Sequence, residues 1–455
     1  MKKRMCKIMA LAMTAAMVVP MAAQTTAFAA DDKEITYWNI AVESPDKDIV
    51  TAAVDKFNKE TKSGYTVNQV AIQNDTYKEK LVIAMSSGEC PDMYSSWSGG
   101  PMYEYIDSGF AQPIDDLLDQ SDVKDKLLDA AIEQGSYNGH VYAIPYLNVS
   151  LAGIFYNKDM FKQYGLEEPK TLADLENICA TLKENGITPF ALANASKWTG
   201  SMYFMSLAAR YGGLEPFQNA VAGTGKFTDD CFIKAGEKIQ EWVKNGYFPD
   251  GVNSLSEDDG QAKQLMYQET AGMLLCGSWY TGTFQTDSEE FYQKKIGWFP
   301  IPAIDDSDAD PTIQIGTVGD QFISFNCEGD KLAAAFECAA DHLSDEVEDM
   351  IYSTGKIAPV KDAGDHISDP VVKEIFDAAQ EASSIQLWYD QYLPTSVASA
   401  HLDGLQEVFG LTKTPQEAQE EMQKAMDEYL STKSDSGAAD DTAEEATDAA
   451  ADDAE

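Results

Sequence analysis

The chain contains few of the residues and motifs from which catalytic and metal sites are usually built. It has four histidines among 455 residues, and none of them stands in a metal-binding spacing such as H-E-x-x-H. The G-x-S-x-G nucleophile elbow and the G-x-x-x-x-G-K-[ST] phosphate loop are also missing. We therefore predict no catalytic residue, no metal and no cofactor, although the many acids mean that composition does not exclude a pair of glycosidase carboxylates.

Positive charge is scarce as well. There are 33 lysines and arginines against 76 aspartates and glutamates, which gives a formal net charge of −43. A surface this acidic repels nucleic acid and anionic lipid. No basic cluster offers a site for a strongly anionic ligand, so we predict a neutral ligand and no nucleic-acid partner.

Cysteine motifs are absent too, because no C-x-x-C pair occurs and a zinc or redox motif is therefore not indicated. Beyond the first 30 residues the chain has an even number of cysteines: Cys90, Cys179, Cys231, Cys276, Cys327 and Cys338. In an exported protein that count permits disulfides, whereas the irregular spacing fits free buried thiols equally well.

Long apolar runs are confined to the start of the chain. Residues 1–30 combine a basic beginning, an apolar stretch from Ile8 to Ala23 and the cleavage signal Ala27-Phe28-Ala29. This order is typical of a secretory signal peptide. We expect an exported protein, extracellular or at the cell surface, or periplasmic in a Gram-negative cell. The cleavage region has no cysteine for lipid attachment.

The remaining sequence predicts an α/β fold. Strands at 35–40, 65–72 and 93–95 alternate with helices at 46–61 and 74–87, which is the rhythm of a mostly parallel sheet. About 425 residues exceed one ordinary core and indicate two domains. From residue 433 the chain has no apolar side chain larger than alanine, so 433–455 is predicted to be a disordered acidic tail.

Tryptophans supply the positive evidence for a ligand site. Five of the seven lie at predicted element ends or in loops: Trp38, Trp97, Trp198, Trp279 and Trp388. Sugars pack their C–H faces on such rings and need carboxylates and amides for their hydroxyl groups. The alternative is that each indole belongs to a core, and this is the interpretation we favour for Trp242 and Trp298.

Several sequence blocks carry a family resemblance. The segment from Tyr142 to Ala193 contains Y-A-I-P-Y and Y-N-K-D, and further blocks are P-D-M-Y (91–94), A-G-M-L-L-C-G-S-W (271–279) and W-Y-D-Q-Y-L-P (388–394). Together they resemble the extracellular solute-binding proteins, family 1, that serve carbohydrate ABC importers. The resemblance spans most of the chain after residue 30. It implies a two-lobed, type II periplasmic-binding-protein-like fold.

In such a fold both lobes are discontinuous in sequence. The resemblance implies an N-terminal lobe of 31–147 and 317–383, and a C-terminal lobe of 148–316 and 384–432, with crossings near Asn148, Gly316 and Ser384. The residues that it places at the cleft are Trp38, Asn39, Glu43, Trp97, Asn148, Trp198, Trp279, Trp388 and Asp390. We add Ser96 to the predicted site as a polar neighbour of Trp97.

The function that this resemblance implies is binding, without catalysis. A monomer would capture a neutral oligosaccharide by closing its lobes and would deliver it to the permease subunits of an ABC importer. The W-Y-D-Q-Y-L-P segment favours a raffinose-type or other plant oligosaccharide. Two alternatives stay open at this point: a secreted glycan-active hydrolase, and a surface adhesin that binds glycans.

Overall fold

A computed structural model describes residues 33–451, with side chains described as far as Lys433. The predicted signal peptide, residues 1–30, lies outside the described residues. The described chain contains the following strands: β1 Glu34–Asn39, β2 Thr66–Ala71, β3 Met93–Ser96, β4 Ser136–Tyr137, β5 His140–Val141, β6 Ala143–Tyr146, β7 Ser150–Asn157, β8 Thr188–Phe190, β9 Ala271–Gly277, β10 Ile296–Phe299, β11 Gln314–Thr317, β12 Gln321–Phe325 and β13 Ile385–Gln386.

Helices stand in seven of the twelve connections between consecutive strands of the described chain. The α-helices are α1 Asp46–Glu60, α2 Asn74–Ser87, α3 Gly100–Asp107, α4 Asp115–Asp119, α5 Val123–Lys126, α6 Asp129–Gln134, α7 Lys158–Tyr164, α8 Leu172–Glu184, α9 Trp198–Gly212, α10 Glu215–Val221, α11 Asp230–Lys244, α12 Gln261–Tyr267, α13 Tyr280–Asp287, α14 Glu289–Lys295, α15 Gly329–Asp341, α16 Asp345–Ser353, α17 Pro370–Glu381, α18 Tyr389–Tyr392, α19 Thr395–Phe409 and α20 Pro415–Ala451. Short 3₁₀ turns occupy Val252–Ser254 and Ala363–His366.

The first sheet has the strand order β2-β1-β3-β12-β6. Strands β1, β2 and β3 are parallel, whereas β12 runs antiparallel to both of its neighbours. Helix α1 packs one apolar face, which includes Ile49, Val50 and Phe57, into the core beside this sheet. The parallel β-α-β rhythm predicted for the start of the chain is therefore the observed one.

The second sheet has the order β13-β11-β7-β9-β8, and β10 also pairs with β7. All eight residues of its central strand β7 are buried, which explains the near-continuous apolar run in the sequence. Local signals start the flanking helices. Asn157 caps α7, and Thr171 forms with Asp174 the capping box that starts α8.

The chain moves between the two sheets at three places. It leaves the first sheet after β6 and enters the second at β7, so the first crossing is at 147–149. The stretch 313–325, which looks like one strand in the sequence, is two strands in different sheets, β11 and β12. The return crossing therefore lies at 318–320, two residues beyond the expected Gly316.

The third crossing differs more from the expectation. Helix α17 was expected in the first lobe, but it packs against β10 of the second sheet. The hydroxyl of Tyr292 also donates to Asp369, just before α17. The chain therefore crosses before Pro370 and not at Ser384. An amphipathic helix shows in its sequence which face is buried, but it does not show which sheet covers that face.

The final helix also extends further than expected. The sequence Thr414-Pro415-Gln416-Glu417 is a typical helix start, and α20 begins there, with Glu417 bonded to the backbone and hydroxyl of Thr414. The helix continues to Ala451, whereas the sequence predicts disorder from Lys433. Alanine, the most frequent residue of this segment, has the highest helix propensity, and this favours continuation of the preceding helix. Residues 452–455 lie outside the described part.

Three further features concern the described residues only. All six cysteines between residues 33 and 451 are free thiols, and five of them are buried. Among the described helices, none combines the length and apolar character needed to cross a membrane. Over the same residues, no group of histidine, cysteine, aspartate and glutamate side chains is arranged to hold a metal ion.

Candidate functional site

A groove with about 1240 Å³ of open space, including the part exposed to solvent, lies between the two sheets. Its walls come from loops and helix starts that follow strands of both sheets, the place where ligands bind in open α/β folds. The residues that line it are Ile40, Ala41, Val42, Glu43, Ser44, Pro45, Asp46, Gln73, Asn74, Lys78, Trp97, Trp198, Met202, Glu257, Asp258, Gly260, Lys263, Trp279, Tyr280, Thr283, Asp320, Gln321, Lys356, Trp388, Asp390 and Gln391.

Three indoles form a continuous row on the groove wall, which we call the tryptophan row: Trp198, Trp279 and Trp388. The ring centroids of Trp198 and Trp279 are 6.0 Å apart, and those of Trp279 and Trp388 are 5.9 Å apart. Trp388 is only 2% exposed, so it mainly supports the other two. The rings contact one another at steep angles, and this leaves the partly exposed faces of Trp198 and Trp279 toward the groove.

Trp279 depends on a glycine beneath its ring. A Cβ atom built on Gly277, the last residue of β9, would lie 2.0 Å from Cζ3 of the Trp279 indole. No side chain fits between strand and ring, so the G-S-W sequence holds the indole directly against the strand end. Ser278 is buried in the same turn and donates to the carbonyl oxygen of Val149 at the first crossing.

A fourth indole comes from the other side of the groove. Trp97 follows β3 of the first sheet and meets the ring of Tyr77 edge-on at 6.0 Å. The Lys78 Nζ atom lies 5.0 Å from the centroid of the Trp97 ring, close enough for a cation–π contact. The same Nζ atom lies 3.3 Å from Oδ2 of Asp390. This ion pair therefore joins α2 of the first lobe to α18 of the second.

Carboxylates line the same groove as these aromatic rings. The Tyr280 hydroxyl donates a hydrogen bond to Glu257, and burial raises the pKa of Glu257 to about 7. The Asp258 Oδ2 atom accepts from the backbone N–H of Asp75, at the start of α2, at 3.1 Å. Burial also raises the pKa of Asp320, to about 6. These oxygens are acceptors of the kind that sugar hydroxyl groups need.

Two polar atoms on the groove residues have no partner within the described part of the chain. They are Nε1 of Trp198, a donor, and Oε1 of Gln391, an acceptor, and both are shielded from solvent. A buried polar atom without a partner is costly unless a ligand or water completes its hydrogen bonding. The groove therefore offers one further donor and one further acceptor.

The structure brings six of the ten predicted site residues to this groove: Glu43, Trp97, Trp198, Trp279, Trp388 and Asp390. Trp198 is the first residue of α9, although the sequence indicates a loop there. Whether these side chains bind a ligand stays a prediction.

The other four predicted residues do not line the groove, because their side chains pack or bond elsewhere. Trp38 packs with Tyr77 in a small separate core. Asn39 is fully buried, and its Oδ1 atom accepts from the backbone of Ala41 at 3.0 Å. Ser96 is buried in β3 and bonds to the Ser324 hydroxyl at 2.7 Å.

Asn148 is the fourth, and it serves the hinge. Its Nδ2 atom donates to Ser278 Oγ at 3.3 Å, and its Oδ1 atom accepts from the backbone N–H of Ile357 at 2.8 Å. Its carbonyl accepts from the N–H of Asp320, at the return crossing, at 2.7 Å. Asn148 thus links the first crossing, the return crossing and the G-S-W turn, and its side-chain atoms are already bonded.

Sequence reasoning missed most of the groove's polar side chains. Lys78, Lys263, Glu257 and Asp258 lie on helices or loops with no distinctive motif, in a chain with 76 acids. Tyr280 directly follows the G-S-W motif, and that position is the one signal that pointed to it.

Two α/β lobes that exchange the chain at three crossings, with an aromatic and polar groove between them, define a binding protein of the two-lobed solute-binding type. The chain belongs to the bacterial extracellular solute-binding protein family, whose family model matches residues 41–340.

Curated relatives agree with this membership. An uncharacterised ABC transporter extracellular-binding protein of Pyrococcus horikoshii is 32% identical over 50% of this chain and 50% of its own. The xylose/arabinose-binding protein XacG of Haloferax volcanii is 22% identical over 56% and 55%. The melibiose/raffinose/stachyose-binding protein MelE of Bacillus subtilis is 22% identical over 61% and 63%. The chain thus matches about half the length of the first two.

Solved structures extend the similarity over the whole fold. One, from work on xylan utilisation by the thermophilic bacterium Caldanaerobius polysaccharolyticus, is 29% identical with a TM-score of 0.78, over 86% of this chain and 99% of that one. A sugar transporter protein of Bacillus licheniformis, in complex with stachyose, is 20% identical with a TM-score of 0.69, over 86% and 98%. The second supports the fold alone.

Proposed function

We propose that this protein is the substrate-binding component of an ABC importer and captures a neutral oligosaccharide in the groove. The observation that carries the proposal is the tryptophan row of Trp198, Trp279 and Trp388, which lies in a groove between two lobes that carboxylates also line. Flat apolar rings bordered by hydrogen-bonding groups match the two kinds of surface that a sugar ring presents. The named relatives that bind sugars support this choice.

The proposed mechanism is closure of the lobes about the three crossings. A sugar that contacts Trp279 of one lobe and Trp97 of the other has its full set of contacts only when the lobes are close. It therefore shifts the population toward the closed form, and the permease would recognise that form. No chemical step is needed, so we propose binding without turnover. We also propose that the protein is exported, because the family name and the predicted signal peptide favour export.

The proposal also ranks the candidate sugars. We place raffinose-type oligosaccharides first, as the W-Y-D-Q-Y-L-P segment suggests. The relative from Bacillus subtilis is named for such sugars. Xylo-oligosaccharides come next, since one structural neighbour comes from work on xylan utilisation.

Calorimetric titration with stachyose, raffinose, xylotetraose and maltotetraose tests the proposal, together with analysis of the recovered sugars. We expect saturable binding of at least one sugar with one site per chain, and no products. Absence of binding to the whole panel would contradict the function. Turnover of a sugar by substoichiometric protein would replace it with a glycan hydrolase.

A further inference from the structure

We propose that the groove discriminates against anionic sugars, and that Glu257 and Asp258 determine this specificity. The inference rests on the proposed function and adds to it a chemical class of sugar that the site rejects. It concerns uronate-bearing oligosaccharides, in which one ring carries a carboxylate.

The first support is the balance of charge around the groove. Six carboxylates and three lysines line it, a formal excess of three negative charges. The lysines do not compensate an incoming anion, because each is already paired with a protein carboxylate. Lys78 is 3.3 Å from Asp390, Lys263 is 3.0 Å from Asp287 and 3.7 Å from Glu43, and Lys356 pairs with Asp46.

The second support is that three groove carboxylates have no ion pair among the described residues: Glu257, Asp258 and Asp320. Asp320 lies beside Lys356 and the return crossing, where that ammonium group moderates its charge. Glu257 and Asp258 are adjacent on the wall before α12. Their hydrogen-bond partners are the neutral hydroxyl of Tyr280 and the backbone N–H of Asp75. Lys263 and Lys78 act on these carboxylates without forming an ion pair with them, and they lower the two pKa values less than the hydrogen bonds do.

The pair also sits where a sugar must pass. Asp258 bonds across the groove to the first turn of α2, which belongs to the other lobe. Glu257 bonds to Tyr280, which follows Trp279 in the chain. A sugar stacked on the tryptophan row therefore lies close to both acids when the lobes close. A carboxylate about 6 Å from one ionised acid, at an effective dielectric constant of about 20, would weaken binding roughly 100-fold.

Matched sugars provide the test. Xylotetraose is compared with xylotetraose bearing one glucuronic acid branch, and maltotetraose and stachyose are compared with forms whose primary hydroxyl groups are oxidised to carboxylates. Dissociation constants are measured by calorimetry at about pH 8, above the pKa of about 7 to which burial raises the Glu257 carboxyl. For each pair of sugars that binds, the dissociation constant of the anionic sugar is divided by that of the neutral sugar. This ratio measures how strongly the protein discriminates against the anionic form.

Isosteric variants separate charge from shape. Asp258→Asn keeps an oxygen for the Asp75 N–H, and Glu257→Gln keeps one for Tyr280. One ionised acid accounts for roughly 100-fold, so we expect a wild-type ratio of at least about 100, which falls to about 10 or less in the double variant because both charges are removed. Asp306→Asn, at an exposed aspartate away from the groove, serves as the control and should keep the wild-type ratio.

Two results would overturn the inference while leaving the proposed function intact. One is a wild-type protein that binds anionic and neutral partners equally well. The other is an unchanged ratio in the double variant, which would point to steric exclusion of the uronate. If no neutral sugar binds, the proposed function fails, and this inference fails with it.

Discussion

Trp279→Ala removes the central indole of the tryptophan row, and its effect on binding can be estimated from the structure. Trp279 is partly exposed to the groove and touches Trp198 and Trp388. If one sugar face covers roughly 60 Å² of the ring, the lost burial at about 25 cal/mol per Å² is about 1.5 kcal/mol, or roughly tenfold in the dissociation constant. Since Trp198 and Trp388 also lose a ring neighbour, we expect a loss between about 10-fold and 100-fold.

The same substitution should leave the fold intact. Trp279 makes two aromatic ring pairs, each contributing about 0.5–1.5 kcal/mol beyond burial, so the free energy of unfolding should fall by a few kcal/mol at most. Gly277→Ala is an informative companion. It keeps the indole but places a methyl group where the ring lies, so the ring must move. We expect a similar loss of affinity with the aromatic group still present.

Calorimetry with the best-binding sugar of the panel provides the measurement, and circular dichroism confirms that each variant is folded. The reasoning about the tryptophan row would be refuted if folded Trp279→Ala bound that sugar as tightly as the wild type. An unchanged affinity in Gly277→Ala, with Trp279→Ala impaired, would show that the position of the ring matters less than its presence.

Three further predictions concern stability and the hinge. Trp242→Phe keeps the ring stack on Phe190 but removes the indole N–H that Glu176 accepts. The free energy of unfolding in urea should therefore fall by about 1–3 kcal/mol, with unchanged sugar affinity per folded molecule. A large loss of affinity would contradict this. Asn148→Ala leaves the buried Ile357 N–H unpaired and should lower the free energy of unfolding by about 1–3 kcal/mol in the same assay. A fully stable variant would argue against the role of Asn148 at the hinge. Burial raises the pKa of Glu257 to about 7. Between about pH 4.5 and pH 7 the folded state therefore keeps a proton that the unfolded state has released. As the pH rises through this interval, the Glu257 side chain destabilises the fold increasingly. Glu257→Gln should therefore gain stability relative to the wild type as the pH rises over that interval, and a difference in urea midpoint that stays flat or shrinks would contradict the assignment.

The comparison of variant with wild type is needed for the pH prediction, because other buried groups titrate in the opposite direction. Burial lowers the pKa of His342 to about 4 and that of His401 to about 3. Each favours the unfolded state as the pH falls below its ordinary pKa, since only the unfolded chain then takes up the proton. Subtracting the two proteins removes these contributions.

Sequence patterns predicted the strands and the aromatic half of the groove because those features depend on local spacing. Trp279 and Trp97 follow strands, where the chain turns and side chains point toward the sheet edge. The same reasoning failed at Trp38 and Asn39, which also end a strand. Alternation puts Trp38 against Tyr77 and turns Asn39 back toward Ala41, and only the packed structure shows which polar groups are already bonded.

Features that depend on pairing between distant segments could not be predicted in the same way. The position of α17 on the second sheet is set by β10, more than 70 residues earlier in the chain. The ion pair of Lys78 with Asp390 joins segments 312 residues apart. No local pattern distinguishes these acids and bases from the many others in the sequence.

Solution scattering with and without a saturating oligosaccharide tests most directly whether two lobes close on a sugar. We predict that the radius of gyration falls when the sugar binds, and that the fall is lost when Trp279→Ala is measured at a sugar concentration that saturates only the wild type. Saturated binding with an unchanged radius of gyration would contradict the account.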